Sequence, residues 1–251
     1  MSEAEEQAFY RREFEHYMQG RSGASWKSPE AHFRSYQAEG ERRMPLVQPY
    51  LRVQDDFLEI GSSTGYFLDD VRTQVASVTG VEPSELYREF ANGHGIKTYP
   101  DMGSLKGRKF DVIALYYVVE HLRDPVDYMK DLRPWLKPGG RVLIEVPNVD
   151  DALLRTYSIP KFGPFYWQKA HYHYFSQATL AAVLTRAGYE SQMIPVQRYD
   201  LSNHMVWMME GKPGGVGRYR QLFSAALEAA YADSLRAHWV CDTVFAVATA
   251  S

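Results

Sequence analysis

Short apolar runs alternate with amphipathic segments through most of the chain beyond residue 55. Apolar runs bounded by turn residues predict strands at 56–60, 77–82, 96–99, 111–116, 141–146, 190–197 and 243–249. Apolar residues at helical spacing predict helices at 64–75, 84–92, 125–136, 177–187 and about 218–238. This alternation favours parallel strands with right-handed crossovers, and hence a doubly wound α/β domain.

The first 50 residues are polar and aromatic-rich, and we predict a helical extension there. Aromatic residues fall at helical spacing at Phe9, Tyr10, Phe14 and Tyr17, and short helices are predicted at 25–36 and 41–51. The crevice of an open α/β sheet lies at the carboxyl ends of its strands and needs a cover, so 1–50 is interpreted as a lid, with a packing extension as the alternative. Residues 51–251 are predicted as one domain with an insertion at about 198–238.

The composition narrows the class of partner. The 251 residues carry a net charge of −3 and no run rich in Lys and Arg, so we expect a small-molecule acceptor and no long nucleic acid. No apolar run approaches the ~20 residues of a membrane span, and the acidic N-terminus lacks the apolar core of a signal peptide. With a single cysteine, Cys241, the chain is expected to be cytoplasmic and without membrane partners; a homodimer is left open.

The turn after the first predicted strand indicates which ligand the crevice takes. In the sequence FLEIGSSTGYF, Gly61 and Gly65 bracket a polar turn that opens a helix. A dinucleotide fingerprint, G-x-G-x-x-G, would need glycine at the positions of Ser63 and Tyr66. A phosphate-binding loop would need a lysine after the second glycine, and none follows Gly65. The turn therefore predicts a nucleotide-type crevice without a phosphate cradle.

An acidic residue at the end of the second predicted strand supplies a partner for a sugar. Glu82 follows Gly61 by 21 residues, and a carboxylate there can accept hydrogen bonds from both hydroxyls of a ribose. A ribose without an adjacent phosphate suggests S-adenosylmethionine (SAM).

Four ordered motifs carry a family resemblance over roughly residues 50–190. EIGSSTGYF, GVEPS, DVIALYYVVEHLRDP and LKPGGRVLIEVPN resemble the class I SAM-dependent methyltransferases, of the small-molecule type associated with bacterial polysaccharide or secondary-metabolite pathways. The resemblance implies a Rossmann-like, mostly parallel seven-stranded sheet whose last strand is antiparallel, and SAM as cofactor. The implied cofactor-binding residues are Glu59, Gly61, Ser62, Gly65, Tyr66, Phe67, Glu82, Pro83, Tyr116 and His121.

Histidines are the candidate catalytic residues, because methyl transfer from SAM often requires a base to remove a proton from the acceptor. His121 follows the fourth predicted strand, where the crevice should lie. In the segment HYHYFS, His171 and His173 would share one face if the chain is extended. Ser176 is predicted to cap the next helix.

The candidate substrate-binding residues are Glu120, Tyr174, Asn203 and His204. The pair Asn203-His204, with Trp207 nearby, suits recognition of a hydroxylated ring; a packed hairpin is the alternative.

A metal site is an alternative use of the same residues. Glu120, His121 and His171 (or His173) are ligand types that bind divalent ions. They resemble the E-x-x-E-H motif and later histidine of small-RNA 2′-O-methyltransferases, but Tyr117 stands at the first glutamate position. Some quinone-pathway O-methyltransferases also carry a Glu-His pair here. With one ligand of the motif missing, no metal is favoured.

The preferred hypothesis is transfer of a methyl group from SAM to a hydroxyl or amine of a polar small molecule, such as a sugar or nucleotide-linked sugar. The alternatives are a metal-assisted RNA 2′-O-methyltransferase and a non-catalytic SAM-binding protein.

Overall fold

The computed structural model describes residues 5, 8–10, 13, 17 and 26–250. These residues divide into two compact units. The first unit extends to Tyr116 and includes Leu132–Leu143; the second comprises Tyr117–Asp131 and the chain from Ile144 onwards. Of the aromatic residues predicted in the N-terminal helix, Phe14 lies outside the described residues.

Seven strands form one sheet, as the resemblance implied. They are β1 (Asp56–Ile60), β2 (Ser77–Val81), β3 (Thr98–Tyr99), β4 (Phe110–Tyr116), β5 (Leu136–Pro147), β6 (Tyr189–Val196) and β7 (Thr243–Ala250). Their order in the sheet is β3-β2-β1-β4-β5-β7-β6. The pairs β1–β2, β1–β4 and β2–β3 are parallel, and β6–β7 is antiparallel. The predicted mostly parallel, doubly wound sheet with an antiparallel last strand is confirmed.

Within residues 26–116, the α-helices of the first unit are α1 (Pro29–Ser35), α2 (Gln37–Val47), α3 (Tyr66–Val71) and α4 (Glu85–Gly93). The side chain of Ser28 accepts a hydrogen bond from the amide of Ala31, which caps α1. His32 of α1 and Arg43 and Val47 of α2 are buried. The described part of the N-terminal extension therefore packs into this unit, and its role as a lid stays a prediction.

An ion-pair cluster joins the edges of β1 and β4. The Nζ atom of Lys137 lies 2.7 Å from the carboxylates of both Asp56 and Asp111. All three side chains are partly exposed, so the cluster adds only modestly to stability. Lys137 also marks a difference from the prediction, since β5 begins at Leu136 and includes Gly139 at a φ of 74°, whereas the fifth strand was predicted only from residue 141.

The helices that follow are α5 (Pro125–Leu132), α6 (Ala152–Arg155), α7 (Phe162–Tyr166), α8 (Gln177–Arg186), α9 (Leu201–Glu210) and α10 (Ala225–Ala237). Short 3-10 turns occur at Gln48–Tyr50, Met102–Leu105, Val119–His121 and Arg133–Trp135. Ser176 caps α8 in a reciprocal arrangement with Thr179, which confirms the predicted cap. The predicted insertion contributes α9 and α10, and α10 begins at Ala225 rather than near residue 218.

The structure also bears on membrane-spanning helices and on the single cysteine. None of the helices within the described ranges is long and apolar enough to cross a bilayer. Cys241 is fully buried as a free thiol.

Candidate active site

The turn between β1 and α3 is held by main-chain hydrogen bonds to the end of β2. The amides of Gly61 and Ser62 donate to the carbonyl of Val81, at 2.8 and 3.1 Å. Gly65 has a φ of 78°, and a Cβ atom there would lie 2.9 Å from Cδ1 of Ile96. Glycine is required at this position for both its left-handed backbone and its close contact.

The carboxylate of Glu82 is fixed by two main-chain donors. Oε2 accepts a hydrogen bond of 2.8 Å from the amide of Ser63, and Oε1 accepts one of 2.7 Å from the amide of Ser84. Each carboxylate oxygen has a second lone pair. Glu82 is thus oriented at the end of β2 with acceptor capacity that suits a pair of ribose hydroxyls.

Two buried polar atoms near the end of β1 have no hydrogen-bond partner within the described part of the chain: Oε2 of Glu59 and Oγ of Ser62. Burial raises the pKa of Glu59 to about 8, the positive charge of Arg43 acts to lower it, and the Glu82 carboxylate raises it further. Buried polar groups are normally paired, so such atoms mark a place where a polar ligand binds.

Arg43 is a residue that our sequence interpretation missed. It is 1% exposed, and its guanidinium carbon lies 4.3 Å from the ring centre of Tyr116. Nη1 donates to the hydroxyl of Tyr66 at 3.0 Å. Its position on the helix could have revealed it, because Arg43 lies on the same face as Gly40 and Val47, which are also buried in α2.

The other predicted cofactor residues of the first unit differ in placement. Phe67 is fully buried, with its ring centre 6.5 Å from that of Phe57 and 5.3 Å from that of Tyr116. Pro83 is exposed, and its carbonyl accepts a hydrogen bond from Arg88. Phe67 therefore packs in the core, and side-chain contact of Phe67 or Pro83 with SAM stays a prediction.

In the second unit, the turn Val119–His121 presents a buried carboxylate. Glu120 is 1% exposed, and neither of its carboxylate oxygens has a hydrogen-bond partner among the residues described. Burial raises its pKa to about 8, with a further upward contribution from Glu145. The main-chain carbonyl of Glu120 accepts hydrogen bonds from the amides of Tyr172 and His173, at 2.9 and 3.2 Å.

This pairing brings the second histidine segment to the first. Nδ1 of His121 lies 2.9 Å from the carbonyl oxygen of Ala170, and the rings of His121 and His171 are edge to face, 4.7 Å apart. One ligand atom each of Glu120, His121 and His171 lies within 4.8 Å of the others. The structure thus assembles three of the predicted site residues.

The HYHYFS segment is not the extended strand that would place His171 and His173 on one face. It folds back through a turn in which the amide of His171 donates to the carbonyl of Gln168. As a result His171 packs against His121, whereas Nε2 of His173 lies 3.1 Å from the carbonyl oxygen of Arg123. The shared face was expected only for an extended chain, and the two histidines instead contact different groups.

Aromatic rings surround Tyr174 near this cluster. Its ring centre lies 4.6 Å from that of Trp167, 5.3 Å from that of Tyr166 and 5.2 Å from that of His171. Its hydroxyl accepts a hydrogen bond from the amide of Gln168. Tyr174 holds its own loop in place, and its contact with substrate stays a prediction.

Asn203 and His204 lie in the interior of the second unit, 4% and 1% exposed, on α9. Nδ1 of His204 is 2.6 Å from the hydroxyl of Tyr231, and burial lowers the pKa of His204 to about 4. A Cβ atom on Gly215 would lie 2.8 Å from Cα of Asn203. Both side chains are thus packed inside the second unit, as the structural alternative to ligand binding expected, although they lie on a helix and not in a hairpin. Substrate contact through this pair stays a prediction.

Comparisons with known proteins agree with this arrangement. A solved structure described as a SAM dependent methyltransferase from Archaeoglobus fulgidus superposes with a TM-score of 0.60 at 15% identity, covering 94% of this chain and 99% of that one. Among curated proteins, the tRNA U34 carboxymethyltransferase of Nautilia profundicola is 28% identical over 115 residues, which are 40% of this chain and 37% of that protein. The ubiquinone biosynthesis O-methyltransferase of Parvibaculum lavamentivorans is 29% identical over 101 residues, 37% of this chain and 40% of that protein.

The chain therefore matches about two fifths of the length of these two relatives. A family model described as a methyltransferase domain matches residues 30–192, which is more than half of the chain. The seven-stranded sheet agrees with that match. The protein belongs to this methyltransferase-domain family.

Proposed function

We propose that the protein transfers the methyl group of SAM to a hydroxyl or amine of a polar small molecule, such as a sugar or nucleotide-linked sugar. The observation that carries the proposal is the cluster of His121, His171 and the buried Glu120, which places an imidazole base a few residues beyond the end of β4. SAM supplies an activated methyl group on a sulfonium.

On this proposal the first unit binds the methyl donor through three ionisable side chains. Glu82 accepts hydrogen bonds from the ribose hydroxyls, because its carboxylate is already oriented by Ser63 and Ser84. Glu59 has a buried oxygen, without a hydrogen-bond partner among the described residues, for the ammonium group of the methionine moiety. Arg43 offers a buried guanidinium to its carboxylate.

The tautomer of His121 supports its role as a base. When Nδ1–H donates to the carbonyl of Ala170, the lone pair of the neutral ring lies on Nε2. This atom can accept the proton of an acceptor hydroxyl or amine as the methyl group is transferred. His173, whose ring bonds to the carbonyl of Arg123, is not part of this group.

A transfer to RNA is the competing assignment, since one relative is a tRNA-modifying enzyme. The net charge of −3 and the lack of a basic run favour a small acceptor, because nucleic-acid binding depends on clustered Lys and Arg.

The test is an acceptor screen with methyl-labelled SAM and the purified protein. Panels of phenols, sugars, nucleotide-linked sugars and amines are scored by mass spectrometry for one added methyl group, and bulk tRNA is a separate arm. We expect label on one of the small-molecule classes, abolished in His121→Ala at unchanged SAM affinity. Label on tRNA alone contradicts the proposal, and SAM binding without any transfer would indicate a non-catalytic binding protein.

A further inference from the structure

The geometry points to a divalent transition-metal site formed by Glu120, His121 and His171, with Zn²⁺ as the ion that this ligand set suits best. Two imidazoles and one carboxylate are a common ligand set for catalytic zinc, and they leave at least one coordination position open. The site lies wholly within the second unit. Binding of the ion does not depend on the proposed function.

The distances are compatible with closure around one ion. The three ligand atoms lie within 4.8 Å of one another. Zinc–ligand bonds of about 2.0–2.2 Å place neighbouring ligand atoms roughly 3–4 Å apart, so side-chain rotations of the order of 1 Å complete the site.

The carboxylate is the strongest single indication. Both oxygens of Glu120 are buried, and within the described residues neither has a hydrogen-bond partner. Leaving a buried polar group unsatisfied is costly, and such groups in folded proteins usually have a partner. A cation bound between Glu120 and the two histidines supplies that partner.

Main-chain contacts around the cluster orient two of the ligands. The carbonyl of Ala170 accepts the Nδ1 hydrogen of His121, which directs Nε2 to serve as the ligand. Metal-bound histidines usually make such a hydrogen bond through the other ring nitrogen. The carbonyl of Glu120 holds the amides of Tyr172 and His173, and so fixes the loop that carries His171.

A bound ion would change how the acceptor loses its proton. In the metal-free protein, Nε2 of His121 would accept the proton of the acceptor hydroxyl. With an ion bound to Nε2, the ion would instead lower the pKa of a hydroxyl at its open coordination position. This consequence rests on the proposed function; the binding site itself does not.

The experiment is a titration of the chelator-treated, full-length protein with ZnCl₂ and with CoCl₂ alone, without SAM. Calorimetry gives the stoichiometry and affinity, and visible absorption of Co²⁺ reports its coordination. Three variants are compared with the wild type: Glu120→Gln, His171→Asn and, as a matched control from the same loop, His173→Asn. Thermal midpoints with and without metal show that each variant is folded.

We expect one ion per chain in the wild type and in His173→Asn, with a metal-dependent rise in the thermal midpoint. Affinity should fall at least about tenfold in Glu120→Gln and His171→Asn. Glu120→Gln should remain folded, because the amide has nearly the same volume as the carboxylate it replaces. No binding by the wild type, or equal binding by all four proteins, would overturn the proposal. SAM affinity, measured in parallel, separates this result from a failure of the proposed function.

Discussion

The carboxylate of Glu82 receives a hydrogen bond from the amide of Ser63, which joins the acidic end of β2 to the turn after β1. The two residues that distinguish a ribose from a pyrophosphate in the sequence are therefore in direct contact. Ser63 replaces the glycine that a dinucleotide site would need, and its amide orients the carboxylate that we propose as the acceptor for the ribose hydroxyls.

Loss of the Glu82 side chain should weaken SAM binding. We expect Glu82→Ala to reduce affinity by about 1–3 kcal/mol, because the ribose hydroxyls lose their acceptor and the turn loses its anchor. Calorimetric titration with SAM measures the change. Glu85→Ala is the control, since Glu85 is an exposed acidic residue at the start of α4. Equal affinities for the two variants would show that another residue holds the ribose.

Arg43 should contribute more to SAM affinity than its neighbour Arg42. Arg43→Gln removes a buried guanidinium from the rings of Tyr116 and Phe67, and we expect SAM affinity to fall about tenfold or more. Arg42 pairs with Glu39 and is partly exposed, so Arg42→Gln should stay close to the wild type. The comparison is made by equilibrium binding, and a similar loss in both variants would argue against a direct role for Arg43.

A methyl group at Gly65 should destabilise the first unit. In Gly65→Ala the new Cβ would lie 2.9 Å from Ile96 at a φ of 78°, and we expect a loss of about 1 kcal/mol or more. Gly93→Ala is the matched control, because no atom lies within 4 Å of a Cβ there. Chemical denaturation measures both. A Gly65→Ala protein as stable as Gly93→Ala would mean that the turn relaxes without strain.

His204 should make stability depend on pH in the acid range. Burial disfavours the charged ring and lowers the pKa of His204 in the folded protein to about 4, from an ordinary value of 6.5. As the pH falls, His204 is protonated in the unfolded chain before it is protonated in the folded protein. Its contribution to the free energy of unfolding is therefore complete above about pH 6.5 and falls by roughly 2–3 kcal/mol as the pH approaches 4. The raised pKa values of Glu59 and Glu120 make the protein more stable as the pH falls, which opposes the effect of His204. The effect of His204 must therefore be measured as a difference in stability between the wild type and a His204 variant.

The measurement compares wild type with His204→Gln by urea unfolding at several pH values. The variant should be less stable than the wild type at neutral pH, since it loses the hydrogen bond to Tyr231. The difference in the free energy of unfolding between the two proteins should decrease as the pH falls. If that difference in the free energy of unfolding stays constant with pH, His204 has the same pKa in the folded and unfolded states.

The strands and the turn after β1 were predictable because they depend on local signals. The apolar run at β1 matches its predicted bounds, and the spacing of Gly61, Gly65 and Glu82 is visible in the sequence. The fifth strand was predicted to begin only at residue 141, because the proline and glycines at 138–140 usually end regular structure, yet β5 begins at Leu136 and includes them.

The remaining differences involve partners far away in the sequence. Asn203-His204 resembles a ligand pair until Tyr231, 27 residues later, is seen to bond the ring. Arg43 resembles a surface cation until the rings of Phe67 and Tyr116 are placed beside it. Periodicity indicates which face of a helix is buried, but not what that face meets.

The two amides that bond to the carbonyl of Glu120 are main-chain groups, so they would persist whatever side chain stood at residue 171. The side chain of His171 thus projects from a backbone frame that does not depend on its identity. Replacing His171 with cysteine or aspartate would then change the chemistry of the cluster while leaving its support in place. The fold thus offers a position at which new acceptor preferences can evolve by single substitutions.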